Sequence, residues 1–317
     1  MTESDLGDEL AGSIAADYQI LRDLASSSGI SAFEARAARD GRPVEIKAVP
    51  VQMLGSQGAP SDAILASRRV QHPNILPVIE SGVRGEAFFW ISPAIDATSL
   101  RARLARGIRM QLKDSLTVLR DVSAALTHAH LHGVVHGGLS PDNVLISGGS
   151  GVVADLGVPE VFSAIRRQVA PDAARSAAAE ALRYAAPEQA AGGNPDARSD
   201  VYAWGVIAYE LLGGRHPFAG RTTPSQMLAA HVDEEPPQLL SGPSNVPASV
   251  TKLVMRCLSK DPAKRPESAR RLFDVLTREL LVPPPQPAAG SGQKAVVALF
   301  IVAVAIIALI AWLGMRS

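Results

Sequence analysis

The sequence predicts an α+β fold with a small β-rich lobe, a larger α-helical lobe and one C-terminal transmembrane helix. Three observations lead to this prediction. Up to about residue 92, apolar and polar residues alternate in short runs that are typical of strands. From residue 99 onward the apolar period becomes helical, and a β-rich half followed by a helix-rich half indicates two lobes. Residues 295–315 carry no charged side chain, which indicates a membrane span.

Composition excludes several classes of protein. The 317 residues are 47% hydrophobic and 20% charged, so most of the chain can bury a core and is not intrinsically disordered. Lys+Arg and Asp+Glu both number 31, so the formal net charge is zero and no basic excess indicates nucleic acid as a partner. The one cysteine, Cys257, excludes an intrachain disulfide framework and a cysteine zinc site.

The elements of both lobes are predicted from apolar periodicity. Strands are expected as a pair in 17–35, singly in 44–49 and as a second pair in 75–92. Residues 61–71 predict a weak helix with Ser61 as its N-cap. The helical lobe is predicted from two long amphipathic stretches, 112–131 and 199–213, and Gly213 is the expected C-cap of the second.

The two ends of the chain differ in character. The N-terminal segment 1–16 is polar, and its first ten residues, MTESDLGDEL, are acidic, which is not the pattern of a signal peptide. Residues 282–294 form a Pro/Gly/Ser linker, and 295–315 reach roughly 30 Å as a helix, with Lys294 and Arg316 at the ends. We expect a single-pass protein with a C-terminal anchor in the lipid bilayer and a cytoplasmic body.

The body carries seven ordered motifs that resemble a protein kinase domain. They are VEIK at 44–47, HPNI at 72–75, HGGLSPDNVLI at 136–146, ADLG at 154–157, YAAPEQ at 184–189, SDVYAWGVIAYELLGGRHPF at 199–218 and KDPAKRP at 260–266. The chain is most similar to the bacterial eukaryotic-like serine/threonine kinases. The resemblance covers 17–281 and implies a bilobal fold, with an N-lobe of about 17–92 and a C-lobe of about 96–281. Fold alone does not establish activity.

The resemblance implies a nucleotide site, and three residues of that site are present. Lys47 corresponds to the strand lysine that pairs with the ATP phosphates, and Asn143 and Asp155 correspond to the two magnesium ligands. Both ligand side chains offer the hard oxygen atoms that magnesium prefers. Whether the three residues still bind Mg-ATP, or persist as packing and hydrogen-bonding relics, stays open.

The groups that carry out phosphoryl transfer in the family are missing. Gly138 stands at the position of the catalytic aspartate, and glycine has no side chain to orient a hydroxyl or accept its proton. Ser140 replaces a lysine that steadies the transferred phosphoryl group, and Gly137 replaces an arginine that docks an activation-loop phosphate. No catalytic residue is therefore intact.

The phosphate-binding loop and its supporting helix also depart from the family. Ala25, Ser27 and Ile30 stand at three glycine positions, where glycine lets backbone N–H groups approach the phosphates. The helix glutamate that pairs with the strand lysine falls at Ala63. A register shift of one residue would place Asp62 there instead.

Glu45 replaces the alanine that packs against adenine in the family. Strand side chains alternate, so Glu45 and Lys47 share one face of their strand. We hypothesise that Glu45 pairs with Lys47 and projects into the adenine site as a plug, where its charge opposes ATP binding. The alternative is that Glu45 extends into solvent.

The hinge is less altered, because its adenine contacts are backbone groups. Ser92 aligns with the gatekeeper, and Pro93 and Ile95 still offer a carbonyl and an N–H to a nucleotide. The activation segment, 155–188, contains no threonine, so a threonine-phosphorylation switch cannot operate there.

Residues that stabilise the fold of the family are kept. Glu188 and Arg265 correspond to a buried ion pair, and Asp200 corresponds to an acid that braces the catalytic loop. His136, the first residue of the catalytic-loop motif, is also present. Retained bracing beside lost catalytic groups is the pattern of a scaffold.

The sequence therefore predicts a membrane-tethered pseudokinase that acts as a signalling scaffold or regulator, with a protein partner such as a true kinase. The alternative is a weak or unconventional serine/threonine kinase that transfers the ATP γ-phosphate to a protein hydroxyl. A membrane adaptor that binds no nucleotide is a third interpretation. Gly138 discriminates the pseudokinase from the enzyme, because an active enzyme needs a replacement base.

Overall fold

A computed structural model describes most of the body of the chain. The described residues are 12, 14, 16–27, 30–51, 62–107, 109–158, 182–239 and 246–282. The chain divides into two compact units, Met1–Glu279 and Leu280–Ser317. The first unit contains a β-sheet lobe and a helical lobe, which confirms the bilobal fold predicted from the sequence. The predicted membrane segment, 295–315, lies outside the described residues, and no helix within them is long and apolar enough to cross a bilayer.

The N-terminal lobe is an antiparallel sheet in the order β1-β2-β3-β5-β4, with one short helix. Its elements are β1 Tyr18–Ser27, β2 Ile30–Ala37, β3 Pro43–Pro50, α1 Asp62–Ser67, β4 Glu80–Arg84 and β5 Ala87–Pro93. In this register Lys47 of β3 lies opposite Ala32 of β2 and Trp90 of β5. Residues opposite each other share a face, so the sheet presents Lys47 and Trp90 on the same side.

The two faces of the sheet bury different clusters. One face packs the apolar residues Phe33, Ala35, Val44, Ile46, Ala48, Ala87, Phe89 and Ile91. The other face carries Val49, Phe88 and Trp90, which pack with Ile64 of α1 and with Val158. We call this second face, which also carries Lys47, the cleft face.

The C-terminal lobe combines helices with a small sheet. Its elements are β6 Thr98–Ser99, α2 Leu100–Ala105, α3 Leu112–Leu131, β7 Val144–Ser147, β8 Ser150–Val153, α4 Pro187–Ala190, α5 Ala197–Gly213, α6 Pro224–Asp233, α7 Ala248–Cys257 and α8 Ala269–Leu281. The central helices α3 and α5 are joined by Trp204, whose Nε1 donates to the carbonyl of Leu119 at 3.1 Å. A Cβ at Gly205 would lie 2.5 Å from the Cβ of Cys257, so this glycine allows α5 and α7 to pack closely.

Two predicted boundaries are wrong. β4 begins at Glu80 rather than near residue 75, because Ile75 and Leu76 contact β8 instead. The N–H of Leu76, for example, donates to the carbonyl of Val153 at 2.8 Å. Gly213 lies inside α5, and the left-handed C-cap is Gly214, with a φ of +77°. The predicted N-cap Ser61 lies outside the described residues.

Candidate functional site

The predicted site residues meet where β3, β5 and the end of β8 converge. Lys47 Nζ donates to both carboxylate oxygens of Asp155, at 3.1 Å to Oδ1 and 2.8 Å to Oδ2. Asp155 has a φ of +58° and is the one left-handed residue other than glycine among those described. Aspartate tolerates this conformation better than most side chains do. The turn after β8 therefore directs Asp155 towards β3.

Glu45 lies beside this pair. Its Oε1 is 3.3 Å from Lys47 Nζ, and its side chain is 36% exposed. In the sheet register Glu45 lies opposite Ser92 of β5 and opposite Glu34 of β2. The hypothesised contact between Glu45 and Lys47 is present, and two acids face each other on the cleft face.

Charge pairing determines the protonation of this group. Burial by itself lowers the pKa of Lys47, but the carboxylates of Asp155 and Glu45 raise that pKa above its ordinary value. Burial likewise raises the pKa of Asp155, but the charge and hydrogen bonds of Lys47, with a bond from Trp90, bring that pKa below its ordinary value. Lys47 and Asp155 are therefore both charged at neutral pH.

Trp90 is a site residue that the sequence analysis missed. It is 1% exposed, and its indole Nε1 donates to Asp155 Oδ1 at 2.9 Å. A buried tryptophan usually has a hydrogen-bond partner for its indole N–H. The tryptophan in the apolar strand AFFWIS was therefore a signal that such a partner exists. Strand periodicity could not show that the partner lies 65 residues further along the chain.

Asp200 of α5 holds the backbone of the predicted catalytic loop. Its Oδ2 accepts the backbone N–H of His136 at 2.9 Å, and its Oδ1 accepts that of Gly137 at 2.8 Å. Nε2 of His130 also contacts Oδ2, at 2.7 Å. Burial opposes ionisation of Asp200, but the hydrogen bond and charge of His130 help to hold its pKa low. The His136 ring donates from Nε2 to the carbonyl of Ala154 at 3.2 Å, which links the loop to Asp155.

Backbone groups and short polar side chains surround the catalytic position. The carbonyl of Gly138 accepts Nδ2 of Asn143 at 3.0 Å, and Oδ1 of Asn143 accepts the N–H of Ser140 at 2.8 Å. The acid of this loop, Asp142, pairs with Arg101 at 3.2 Å. A cavity of about 10 Å³, the space of roughly one water, borders Gly138.

Ile30 packs on the cleft face, at the position where the sequence predicts the third glycine of a phosphate-binding loop. It is partly buried against the cluster that includes Val49 and Trp90, so it lies on the cleft face at the third glycine position. Ser27 and Ile30 are opposite each other where β1 meets β2. For the remaining predicted positions, Ala25, Ser27, Asp62 and Ala63, the structure describes only the element to which each belongs.

The predicted hinge follows β5. Pro93 ends the strand, and the N–H of Ala94 donates to the carbonyl of Pro43 at 3.1 Å. Ser92 is 6% exposed and lies opposite Glu45, whereas Ile95 is 39% exposed. The predicted gatekeeper, Ser92, and the acid of β3 therefore lie side by side on the cleft face.

The structure brings Glu188 and Arg265 together in a bidentate ion pair. Arg265 Nη1 and Nη2 donate to the two carboxylate oxygens of Glu188 at 2.8 and 2.7 Å, and the Arg265 side chain is fully buried. Ser199 Oγ donates to Glu188 Oε1 at 2.7 Å. Burial raises the pKa of Glu188, but its bonds with Arg265 and Ser199 bring that pKa below its ordinary value.

The described end of the activation segment and the residue that follows it, Gln189, are each held by hydrogen bonds. The carbonyl of Arg183 accepts Nε2–H groups from His216 and His231, both at 2.8 Å. Gln189 Nε2 donates to the carbonyl of Gly137 at 2.7 Å. Both ties are made without a phosphate group.

The oxygen ligands that magnesium would use are directed at N–H donors. Asp155 accepts three N–H bonds from Lys47 and Trp90, and Asn143 Oδ1 accepts the N–H of Ser140. Mg²⁺ needs oxygen lone pairs in near-ideal octahedral directions. The donor set as arranged therefore does not fit a magnesium ion.

Comparison with known proteins gives consistent matches across the body of the chain. A family model described as "Protein kinase domain" matches residues 18–275. The chain is 32% identical over 274 residues to the serine/threonine-protein kinase pkn2 of Myxococcus xanthus, which covers 82% of this chain and 32% of that protein. It is 30% identical over 264 residues to the serine/threonine-protein kinase PknB of Mycobacterium tuberculosis, which covers 80% of this chain and 42% of that protein. The chain therefore matches less than half the length of these relatives.

Proposed function

The chain belongs to the protein kinase family, and from that membership we propose that it is a membrane-tethered pseudokinase that binds a protein partner as a signalling scaffold or regulator. Its domain is related to bacterial serine/threonine kinases. The observation that carries the proposal is Gly138 at the catalytic position of an otherwise braced C-lobe.

The chemistry of phosphoryl transfer explains why Gly138 carries this weight. A kinase needs a group that orients the attacking hydroxyl and accepts its proton. Glycine supplies neither, and loss of a general base removes on the order of a hundredfold to ten-thousandfold in rate. Asp142 is paired with Arg101, and Ser140 brings no positive charge to a transferred phosphoryl group.

The nucleotide end of the cleft supports the same proposal. Glu45 contacts Lys47 from the adenine-facing position of β3, and Ile30 packs on the cleft face where a glycine would leave room. Bound ATP would have to displace Lys47 from two carboxylates. We propose that Glu45 acts as a plug that disfavours nucleotide.

The bracing contacts support a binding role. The pair of Glu188 with Arg265 and the bonds of Asp200 to the catalytic loop hold the C-lobe surface in one conformation. Breaking a buried pair of this kind costs about 3–5 kcal/mol, so the fold depends on keeping both partners. A rigid kinase-like surface fits a protein partner, for which we propose a true kinase.

The membrane part of the proposal rests on sequence. Residues 295–315 form a charge-free stretch long enough for the hydrocarbon layer, and 282–294 would act as a tether. We propose that the kinase-like domain lies in the cytoplasm and that the anchor confines it to the bilayer surface.

A weak or unconventional serine/threonine kinase is the second candidate. The observation in its favour is that Lys47 and Asp155 remain in contact, with Asn143 nearby in the catalytic loop. These residues would hold phosphates and metal if the plug and the Trp90 bond were released, and a base would have to come from elsewhere.

A radiolabel transfer experiment separates the two candidates. The full-length chain in detergent micelles is incubated with γ-labelled ATP, Mg²⁺ or Mn²⁺, and a general serine/threonine substrate protein. Asp155→Asn, which removes the charge at the predicted metal ligand, provides the blank. We expect the wild-type chain to label no protein above this blank. Labelling by wild type well above Asp155→Asn would overturn the pseudokinase proposal in favour of the enzyme.

A further inference from the structure

The hydrogen bond between Trp90 and Asp155 joins the sheet to the predicted metal ligand. Trp90 lies in β5 directly opposite Lys47, and its indole reaches across the cleft face to Asp155 Oδ1 at 2.9 Å. A bond from a neutral N–H to a buried carboxylate is one of the stronger kinds in a protein. Trp90 and Lys47 thus hold the same carboxylate from neighbouring strands.

Packing fixes the indole in this position. Trp90 is 1% exposed and belongs to a cluster with Ile64 of α1, Phe88 of β5 and Val158 just after Asp155. The rings of Phe88 and Trp90 are 6.0 Å apart. A side chain this large cannot change rotamer without opening the cluster. The indole N–H therefore has one direction, towards Asp155.

The carboxylate is equally constrained. Asp155 is held at a φ of +58°, and the N–H of Ala154 beside it donates to the carbonyl of Asn143 at 2.8 Å. A carboxylate has about four lone-pair directions, and three N–H bonds already use three of them. A cation at the fourth would also meet the positive charge of Lys47, which is 2.8 Å from Oδ2.

We propose that Trp90 is a latch that keeps Asp155 from divalent cations, so that the Trp90 hydrogen bond and metal coordination by Asp155 exclude each other. Trp90 acts as a positioning residue through Asp155. The inference rests on the proposed function, since a site that turned over Mg-ATP would have to free Asp155 in every cycle. The inference adds to the proposed function one residue, Trp90, and one class of ligand, a divalent metal ion bound together with a nucleotide.

A matched pair of tryptophan variants tests the latch. Trp90→Phe keeps most of the volume and removes the indole N–H. Trp204→Phe does the same at a buried tryptophan whose Nε1 donates to the carbonyl of Leu119, far along the chain in α5. The full-length chain in detergent is titrated with ATP in the presence of Mn²⁺ or of EDTA, and the melting temperature reports binding.

The latch predicts that only Trp90→Phe gains affinity for ATP with Mn²⁺. Trp90→Phe should bind Mn²⁺-ATP at least about tenfold more tightly than wild type, the value of one hydrogen bond to a charged group, and EDTA should abolish the gain. Trp204→Phe should behave as wild type. The latch would be overturned if the ATP affinity of Trp90→Phe depended on Mn²⁺ no more than that of the wild type. It would also be overturned if Trp90→Phe and Trp204→Phe gained the same affinity. Phosphate transfer is measured separately, so failure of the latch is distinct from failure of the pseudokinase proposal.

A second measurement needs no change at Trp90. The chain has three tryptophans, so labelling with 5-fluorotryptophan gives three fluorine resonances, which Trp204→Phe and Trp312→Phe assign. Mn²⁺ bound to Asp155 would broaden the Trp90 resonance selectively, because the indole is in contact with that carboxylate. We expect no selective broadening with Mn²⁺ and ATP at millimolar concentration. Selective loss of the Trp90 signal in the wild-type chain would show metal at Asp155 and overturn the latch.

Discussion

Single residues decide the electrostatics of the cleft. Glu45 and Glu34 are directly opposite each other in β2 and β3, an arrangement that is unfavourable unless positive charge lies nearby. Lys47 contacts Glu45, and Arg22 pairs with Glu34. Each of the two acids therefore has a cation beside it, and Glu45 shares Lys47 with Asp155.

The first prediction concerns this acid. Glu45→Ala should raise the affinity for ATP about fivefold, since one charge at a partly exposed site is worth about 1 kcal/mol. Asp40→Ala removes the same charge from an exposed turn and should leave the affinity unchanged. Thermal shift against ATP concentration measures both variants. Wild-type affinity in Glu45→Ala would contradict the plug.

The second prediction concerns the buried ion pair. Arg265→Met should lower the free energy of unfolding by about 3–5 kcal/mol, because it leaves Glu188 without its cation. Arg270→Met breaks an exposed pair with Asp274 on α8 and should cost less than about 1 kcal/mol. Urea unfolding followed by circular dichroism measures both. Similar losses in the two variants would contradict the structural importance of the Arg265 pair.

Much of the site could be predicted from single positions, and one part could not. Lys47, Asn143, Asp155 and Asp200 stand in motifs whose spacing fixes their place, and the structure brings each to the cleft or the catalytic loop. The contact of Trp90 with Asp155 forms because a large side chain of one lobe reaches a residue of the other. No pattern of neighbouring residues in the sequence shows which side chains of the two lobes meet.

At the scale of elements, two histidines fasten the end of the activation segment. Both rings donate from Nε2 to the carbonyl of Arg183. Nδ1 of His216 accepts the N–H of Phe218 at 3.1 Å, and Nδ1 of His231 contacts the hydroxyl of Tyr202 at 2.9 Å. Both nitrogens of each ring therefore have partners in the neutral form, and protonation of His216 would set two N–H groups against each other.

The third prediction is a loss of stability in mild acid. Burial lowers the pKa of His216 to about 3 and that of His231 to about 4, whereas an unfolded histidine titrates near 6.5. Below about pH 6.5 the unfolded chain therefore binds protons that the folded chain does not. Each histidine should reduce the free energy of unfolding by about 1.4 kcal/mol per pH unit on acidification.

Two histidine variants test whether His231 contributes to the loss of stability in acid. His231→Gln should lower the slope of unfolding free energy against pH between about 6.5 and 5 by the share of one histidine. His132→Gln, at an exposed ring, is the control and should keep the wild-type slope. Urea unfolding at several pH values gives the slopes. An unchanged slope in His231→Gln would contradict the assignment.

Element boundaries show where local pattern stops being sufficient. Helix α3 spans Leu112–Leu131, as its amphipathic period predicts. The start of β4 could not be predicted, because Ile75 and Leu76 pair with β8 of the other lobe. Periodicity identifies apolar segments, and tertiary contacts decide which partner they take.

The whole chain combines a body of nearly zero net charge with the apolar segment 295–315. Lys294 and Arg316 are the charges that flank 295–315, so the rest of the chain carries a small excess of acid. A small net negative charge gives the body no overall attraction to anionic lipid headgroups. We therefore expect attachment to a bilayer to depend on the hydrophobic segment.

The fourth prediction follows at this scale. Deleting residues 294–317 should release the chain from membranes in a flotation assay, since the deletion removes the proposed hydrophobic anchor. The melting temperature of the remaining domain should change by no more than about 2 °C, because the compact unit ends at Glu279. A deletion variant that still floats with vesicles would contradict the anchor.

The bond from Gln189 to the carbonyl of Gly137 has a consequence for recognition. Ordering a flexible segment on binding costs roughly 1–2 kcal/mol of backbone entropy per residue. Here the bond forms when the chain folds, so a partner that contacts the surface beside Gln189 would not bear that entropic cost again. The fraction of this surface that is occupied would then depend on the local concentration of the partner. Attachment of both molecules to one bilayer would raise that concentration.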